Sequence, residues 1–262
     1  MSEFQKSPIT STKNETVKLL RSLKERSSRR ESGLLLIEGE RLVFDALASG
    51  LALEHTLVEL GAEGIMKRLD ELGFYYTPVS RAVLEAVSDT RSPQGIAAAI
   101  RAPKLTPPEH YPDGLIVALD RLQDPGNLGT VIRTADAMGA GAILLGEGCT
   151  DPFSPKALRS AMGSSLRLPI FAGELTGELK RLADEGKTLV CGHLSGESVM
   201  PQIGKSCVVV IGNEANGVSS EVAALCSLWR LPMYGGAESL NASVAASIMI
   251  YELSKKLHAG QE

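Results

Sequence analysis

The sequence predicts an α/β protein in which a small α/β domain precedes a larger domain with a mainly parallel sheet. Short apolar runs alternate with amphipathic stretches along the 262 residues, which is typical of sheets covered by helices. Four prolines in residues 102–113 interrupt this alternation with a stiff linker. After the linker the apolar runs become continuous, as in strands that are buried on both faces.

The first half of the chain begins with a predicted helix at residues 14–26, whose apolar side chains recur at roughly helical spacing behind Asn14 as N-cap. After a polar break, the pattern predicts strands at residues 34–37, 55–59, 74–77 and 95–100. Helices are expected between them at 40–48, 62–72 and 82–87. The predicted organisation is a basic N-terminal arm at 1–32, a small α/β domain at 33–103 and a linker at 104–113.

The second half, residues 114–262, contains six apolar runs that predict buried strands at 115–119, 142–145, 168–171, 188–191, 207–211 and 228–232. Helical stretches separate most of these runs, so that parallel crossover connections are expected. Residues 240–257 are rich in Ala, Ile, Met and Leu and predict a buried terminal helix.

Composition excludes several classes of protein. No apolar run reaches the roughly 18 residues of a membrane span, and the N-terminus lacks the apolar core of a signal peptide. The four cysteines form no C-x-x-C pair and the four histidines have no metal-binding spacing. Dinucleotide and phosphate-loop fingerprints are missing. We therefore expect a cytoplasmic protein without membrane contact, disulfides or a metal.

The charge is distributed unevenly along the chain. The net charge is −4, yet residues 1–32 hold eight basic and four acidic residues, which leaves −8 for the remainder. Such asymmetry favours a basic arm that faces a polyanion, while a merely solvated helix is the alternative. The candidate residues for contact with this polyanion are Lys18, Arg21, Lys24, Arg26, Arg29 and Arg30.

Three loops carry the candidate chemistry, each at the carboxyl end of a predicted strand, where open parallel sheets bind ligands. The first, residues 120–129 (DRLQDPGNLG), is expected to form a tight turn before a helix that begins near Thr130. Such a helix would point its positive end at an anion, and Arg133 on its first turn would grip a phosphate. An ordinary turn beside a surface arginine is the alternative.

The other two loops follow the fifth and sixth apolar runs. In residues 211–217 (IGNEANG), Gly212 would allow close approach of a ligand, and Glu214 needs a cation or a donor. A simple polar connection is the alternative. In residues 231–243 (LPMYGGAESLNAS), Ser239, Asn241 and Ser243 crowd a helix start. Capping explains one of these three polar residues.

Together, the three loops resemble the SpoU (TrmH-type) branch of the SPOUT superfamily of RNA 2′-O-ribose methyltransferases. The likeness rests on residues 124–129 with Arg133, on 212–214 with Gly217, and on 231–233 with 239–241. The segment 151–155 also matches, and the first half more weakly resembles the small substrate-binding domain of such enzymes.

The resemblance implies a deep trefoil knot, a homodimer that involves the terminal helix, and S-adenosylmethionine bound within the knot. The implied catalytic or substrate-positioning residues are Asn127, Arg133, Glu214, Ser239 and Asn241. The implied cofactor contacts are Gly212, Leu231, Met233 and Leu240. Arg133 would hold a phosphate and stabilise the developing alkoxide. Glu214 would orient Arg133 or Asn241, or accept the proton itself.

The expected function is therefore methylation of a ribose 2′-hydroxyl in structured RNA. The basic arm and the separate first domain favour large-subunit ribosomal RNA over tRNA. Two alternatives remain at this stage. One is a non-catalytic RNA-binding or ribosome-assembly factor on the same fold, and the other is a nucleotide enzyme on an ordinary doubly wound sheet.

Overall fold

A computed structural model of the protein describes residues 7–90 and 92–259. The chain divides into two compact units, one of residues up to Pro103 together with Phe153–Pro155, and the other of Lys104–Pro152 and the residues from Lys156 onward. The first unit contains, in order, α1 (Glu15–Ser22), α2 (Arg26–Ser32), β1 (Leu34–Glu38), α3 (Glu40–Ala48), β2 (Leu53–Glu59), α4 (Glu63–Glu71), β3 (Thr77–Val79), α5 (Arg81–Val87) and β4 (Ile96–Arg101).

The first unit is built on a four-stranded sheet with the order β1-β4-β2-β3. Strand β4 runs antiparallel to both of its neighbours, whereas β2 and β3 are parallel. Val17, Leu20 and Leu23 are buried in the same apolar cluster as residues of α5 and β4. Helix α1 therefore contributes to the core of this unit.

Two predicted elements of the first unit are wrong. The helix predicted at 14–26 is two helices, because α1 ends at Ser22 and a separate α2 begins at Arg26. The strand predicted at 74–77 is instead Thr77–Val79. The N–H of Phe74 donates to the carbonyl of Leu69 and closes the end of α4, so Phe74 is not free to pair in the sheet.

The second unit contains β5 (Leu115–Leu119), α6 (Pro125–Ala137), β6 (Ala142–Leu145), α7 (Pro155–Ala161), α8 (Ser164–Arg167), β7 (Ile170–Ala172), α9 (Leu175–Asp184), β8 (Thr188–Glu197), β9 (Cys207–Ile211), α10 (Ser220–Ala223), β10 (Ser227–Trp229) and α11 (Ala242–His258). Its six strands form one sheet in the order β10-β8-β9-β5-β6-β7. All the strand pairs described in this sheet are parallel, which confirms the predicted class.

Helices cover both faces of this sheet. Alternate residues of β5 and β9 pack into two separate apolar clusters, as the period of a strand requires. One cluster includes buried residues of α6 and α11, and the other includes residues of α9 and α10. The continuous apolar runs of the sequence thus correspond to strands that are buried on both faces.

Some boundaries in the second unit differ from the prediction. Leu168 follows the last residue of α8, so strand β7 begins only at Ile170. Strand β10 ends at Trp229 instead of continuing to residue 232. The terminal helix begins at Ala242, because Asn241 caps it. Within the described ranges, no helix is long and apolar enough to cross a bilayer.

Candidate active site

The carboxyl ends of strands β5 and β9 lie side by side in the sheet. Asp120 follows the first of these strands and Gly212 follows the second. Because parallel strands point in the same direction, the loops that follow them meet at one edge of the sheet. Two of the three predicted loops therefore come together here.

The helix after the first loop begins at Pro125 and not near Thr130. Asp124 is its N-cap and accepts the N–H of Asn127 at 2.8 Å. Residues 125–129 thus form the first turn of α6, and the tight turn predicted for them is wrong. Arg133 lies two turns further along, about 9 Å from Asn127 along the helix axis. It is therefore not on the first turn, contrary to the prediction.

Glu214 joins the first two loops. Its Oε1 accepts hydrogen bonds from the backbone N–H of Asp124 and from Nδ2 of Asn127, both at 3.0 Å, and its Oε2 accepts from the N–H of Gln123 at 3.2 Å. Burial opposes ionisation of this carboxyl, but these hydrogen bonds hold the pKa of Glu214 below its usual value. Glu214 is therefore an ionised acceptor at neutral pH.

Asn127 connects this pair of loops to the third. Its Oδ1 accepts a hydrogen bond from Nδ2 of Asn241 at 3.2 Å. The oxygen of Asn241 accepts from Ser243 N at 2.9 Å and Ser243 Oγ at 2.7 Å, which caps α11. Three of the predicted residues, Asn127, Glu214 and Asn241, thus form one hydrogen-bonded cluster.

The other two predicted catalytic residues lie outside this cluster. The side chain of Ser239 is exposed and makes no hydrogen bond with another residue that the structure describes. Arg133 is also exposed and has neither an ion pair nor a hydrogen bond within the described ranges. Both side chains are free to contact a ligand.

A cavity of about 950 Å³ opens next to the cluster. All four predicted cofactor contacts line it: Gly212, Leu231, Met233 and Leu240. Buried Trp229 and Met249 supply apolar wall. Apart from Pro232, which has no N–H, residues 231–240 have backbone N–H groups that donate no hydrogen bond to any other described residue. A cavity of this size, with apolar and polar walls and unpaired backbone donors, suits a planar heterocycle with polar edges.

Gly212 lines the cavity and also allows a close approach within the protein itself. A Cβ at this position would overlap the carbonyl carbon of Gly217 and the nitrogen of Val218. The close approach is therefore made by the protein's own loop, where Asn213 and Gly217 exchange backbone hydrogen bonds at 3.0 and 2.9 Å. The missing side chain allows this narrow loop to form the wall of the cavity.

The sequence model of the SpoU rRNA Methylase family matches residues 114–251. The chain belongs to this family. A second model, the MRM3-like substrate binding domain, matches residues 14–98. The family assignment confirms the resemblance noted in the three loops.

Individual SpoU proteins match along almost the whole chain. The 23S rRNA (guanosine(2553)-2′-O)-methyltransferase RlmP of Bacillus subtilis is 37% identical over 250 residues, which cover 94% of this chain and 98% of that enzyme. The AdoMet-bound rRNA methyltransferase from Sinorhizobium meliloti matches with a TM-score of 0.84 at 32% identity, covering 95% and 97%. A solved RNA 2′-O ribose methyltransferase matches with a TM-score of 0.81 at 32% identity, covering 97% and 100%.

The candidate RNA contacts of this SpoU protein fall into two groups. Lys18, Arg21, Arg26 and Arg30 are exposed, and Lys18 pairs with Glu15 at 2.7 Å. Arg29 is only 6% exposed and donates to the carbonyls of Leu23 and Lys24. This burial contradicts the prediction that Arg29 contacts RNA.

Lys24 is likewise engaged within the first unit. Its ammonium donates to the carbonyls of Ala86 and Ser88 at the end of α5. These two carbonyls need donors because they end a helix. Lys24 therefore stabilises the fold of this unit, and it is a weaker candidate for an RNA contact than its exposed neighbours.

Sequence reasoning missed two polar groups beside the cluster. Lys156 pairs with Asp124 at 2.8 Å, and this contact, with the N–H of Asn127, holds the pKa of Asp124 below its usual value. Asp120 is buried at 5% exposure directly after β5. An acid that ends a fully apolar strand was a usable signal for Asp120, whereas nothing in the sequence placed Lys156 near Asp124.

Proposed function

We propose that this protein transfers a methyl group from S-adenosylmethionine to a ribose 2′-hydroxyl of ribosomal RNA. The observation that carries the proposal is the position of Glu214, which lines the cavity and also belongs to the cluster with Asn127. The cofactor cavity and the polar cluster thus share a wall. The names of the similar proteins support this assignment, since RlmP is a 2′-O-methyltransferase of 23S rRNA and the S. meliloti enzyme is AdoMet-bound.

Gly212, Leu231, Met233 and Leu240 would hold the cofactor. The apolar walls suit an adenine ring, and the unpaired backbone groups of residues 231–240 suit its polar edge. When bound, S-adenosylmethionine supplies a methyl group that its sulfonium charge already activates. The protein therefore has to align the ribose and stabilise the charge that develops on its 2′-oxygen.

We assign Glu214 to orientation and not to proton transfer. A carboxylate with a lowered pKa and four hydrogen-bond donors on its oxygens is a weak base. Asn241 also positions its neighbours, because both ends of its amide are engaged. The free side chains are left for substrate: Ser239 for the ribose, and Arg133 for the adjacent phosphate and the developing alkoxide.

Large-subunit ribosomal RNA is the proposed substrate, and tRNA is the alternative. Exposed Arg21, Arg26 and Arg30 suit a folded RNA that is recognised through its phosphates. In this proposal residues 1–103, including the N-terminal 1–32, bind RNA, and residues 114–262 transfer the methyl group across the linker 104–113. A non-catalytic RNA-binding factor is disfavoured, because Asn127, Glu214 and Asn241 form a cluster beside the cavity that the cofactor would fill.

The proposal includes a homodimer with knotted C-terminal domains that acts in the cytoplasm. Val244, Ile248 and Tyr251 lie on one face of α11 and are 46%, 40% and 51% exposed. Their spacing of four and three residues makes a continuous apolar stripe. A second copy of the chain would cover this stripe. No metal is invoked, and the described residues contain no group of three or more candidate metal-ligating side chains.

Transfer of labelled methyl from S-adenosylmethionine to total RNA of a strain that lacks the gene tests the function. We expect label in one large ribosomal RNA as an alkali-resistant dinucleotide, lost with Arg133→Ala and retained with Lys205→Ala, an exposed cation elsewhere in the domain. Label in tRNA would show that the substrate is tRNA and not ribosomal RNA. No transfer to RNA or ribosomal particles would favour the non-catalytic factor.

A further inference from the structure

Asp120 is a buried carboxylate that the proposed chemistry does not use. It is 5% exposed and does not line the cavity. Its Oδ2 accepts the backbone N–H of Ser219 at 2.6 Å, 99 residues further along the chain. Its Oδ1 accepts Nε of Arg121 at 2.9 Å. A buried carboxylate is costly unless such donors surround it, so its position in the fold needs a reason.

A second contact joins the same two loops in the opposite direction. Asn213, after β9, is 9% exposed, lines the cavity, and donates from Nδ2 to the carbonyl of Arg121 at 2.8 Å. The same Nδ2 also donates to Oε2 of Glu214 at 3.4 Å. Its Oδ1 accepts the N–H groups of Ala215 and Asn216. Asp120 thus holds the far end of the second loop, and Asn213 holds the turn of the first.

Arg121, which takes part in both contacts, has an uncommon backbone conformation. Arg121 has a φ of +56°, in the left-handed region that residues with a Cβ rarely adopt. Asn213 binds its carbonyl and Asp120 binds its guanidinium, which together stabilise the turn. Gln123 and Asp124 follow two and three residues after Arg121, and their N–H groups donate to Glu214 at 3.2 and 3.0 Å.

We propose that Asp120 and Asn213 are positioning residues for methyl transfer, which lock the first two loops together so that Glu214 is held against Asn127. The inference rests on the proposed function. Asp120 acts entirely through other residues. Two ion pairs lie on the first loop and near it, Asp120 with Arg121 and Asp124 with Lys156. Arg230 and Glu238 line the same cavity as Glu214.

Ser219 allows the backbone donor of this contact to be removed by substitution. Its φ is −64°, which matches the fixed φ of proline, and it does not line the cavity. Ser219→Pro deletes the N–H that Asp120 accepts, whereas Ser219→Ala keeps that N–H and removes only the hydroxyl. The two variants therefore differ at the hydrogen bond in question.

We expect Ser219→Pro to lower kcat by about 10-fold, with cofactor Kd within about 3-fold of wild type, because loss of alignment affects the chemical step more than ground-state binding. The acidic limb of its pH–rate profile should move to higher pH, since displaced N–H donors no longer favour ionised Glu214. Ser219→Ala should match wild type in all three. Asp120→Asn, which keeps an oxygen acceptor, should lie between wild type and Asp120→Ala.

Carbon-13 NMR of glutamate-labelled protein, with the Glu214 signal assigned by Glu214→Gln, supplies a readout that does not require turnover. We expect a higher Glu214 pKa in Ser219→Pro than in Ser219→Ala. Equal kcat and equal Glu214 pKa in the two folded variants would overturn the proposal. If wild type transfers no methyl group, the proposed function fails, and the NMR comparison still decides whether Asp120 positions Glu214. If Ser219→Pro does not fold, the same comparison between Asp120→Asn and wild type decides the question.

Discussion

The side-chain nitrogen of Asn127 lies 3.0 Å from Oε1 of Glu214, although 87 positions separate the two residues in sequence. The oxygen of the same amide accepts Asn241 at 3.2 Å. An amide offers both a donor and an acceptor, which a carboxylate cannot do when it is ionised. Asn127 is therefore suited to hold the second and third loops on the first turn of α6.

Asn127→Asp tests this bridge. The substitution removes the donor and places a second carboxylate next to Glu214, so that repulsion separates the loops. We expect kcat to fall by about 100-fold or more, while cofactor affinity changes by less than about 3-fold, because Asn127 does not line the cavity. Labelled methyl transfer and calorimetry measure the two effects. Wild-type kcat in this variant would show that the bridge is dispensable.

Gly212→Ala tests the narrow second loop. The added Cβ would overlap backbone atoms of Gly217 and Val218, and backbone cannot move aside as a flexible side chain can. We expect a loss of about 1–3 kcal/mol in the free energy of unfolding, together with weaker cofactor binding. Gly235→Ala, where no atom lies within 4 Å of the new Cβ, is the control. Unchanged melting temperature and cofactor affinity in Gly212→Ala would contradict this account of the loop.

The sequence predicted those parts of the fold where one local pattern has a single interpretation. Strand Cys207–Ile211 is confirmed to the residue, because five consecutive apolar side chains end at a glycine. The start of α6 could not be read in this way. Asp124 and Pro125 are a favoured N-cap and first residue of a helix, but Gly126 and Gly129 disfavour a helix, and the predicted turn followed the signal of the glycines.

The contacts within the candidate site could not be predicted from the sequence, although several of its residues stood out there. Glu214 stood out as an acid in need of a donor, but that its donors include Asn127 depends on the pairing of β5 with β9. Arg29 was misassigned for a related reason. A run of basic residues has the same sequence pattern whether its side chains point to solvent or to backbone carbonyls. The side chain of Arg29 points to carbonyls, because it donates to those of Leu23 and Lys24.

The pH dependence of stability tests the environment of Glu214. Burial opposes ionisation of Glu214, but hydrogen bonds lower its pKa in the folded state. The pKa of a glutamate in the unfolded chain is about 4.3. A lowered pKa contributes stability above the unfolded value, and this contribution is lost as the pH falls through the folded pKa. The stability difference between wild type and Glu214→Gln should therefore be constant above about pH 5.5 and shrink below about pH 4.

Urea unfolding at several pH values measures that difference. Glu221→Gln, which alters an exposed carboxylate on α10, provides the control and should match wild type across the range. A stability difference for Glu214→Gln that grows as the pH falls would have the wrong sign for a carboxyl with a lowered pKa, and would contradict the hydrogen bonding described for Glu214.

The exposed stripe on α11 tests the proposed dimer. Ile248→Asp places a charge in the centre of the stripe that Val244 and Tyr251 continue, and burying an unpaired charge in an apolar interface is strongly unfavourable. We expect sedimentation to show a dimer for wild type and a monomer for the variant, with no change in its far-ultraviolet circular dichroism. Glu252→Ala on the same helix is the control. A dimer that persists in Ile248→Asp would place the interface elsewhere.

Substitutions in α1 and α2 separate RNA binding from folding. Replacing exposed Arg21, Arg26 and Arg30 by alanine should weaken RNA binding and reduce the slope of log K against log salt by about 2 to 3, since each phosphate contact contributes about 0.7 to 0.9. Cofactor affinity should not change. Arg29→Ala should instead lower the melting temperature, because its guanidinium donates to two helix-terminal carbonyls, and it should leave the salt slope of the folded protein intact. The opposite result would be a reduced slope in Arg29→Ala and an unchanged slope in the triple variant. It would mean that the first unit changes conformation when it binds RNA.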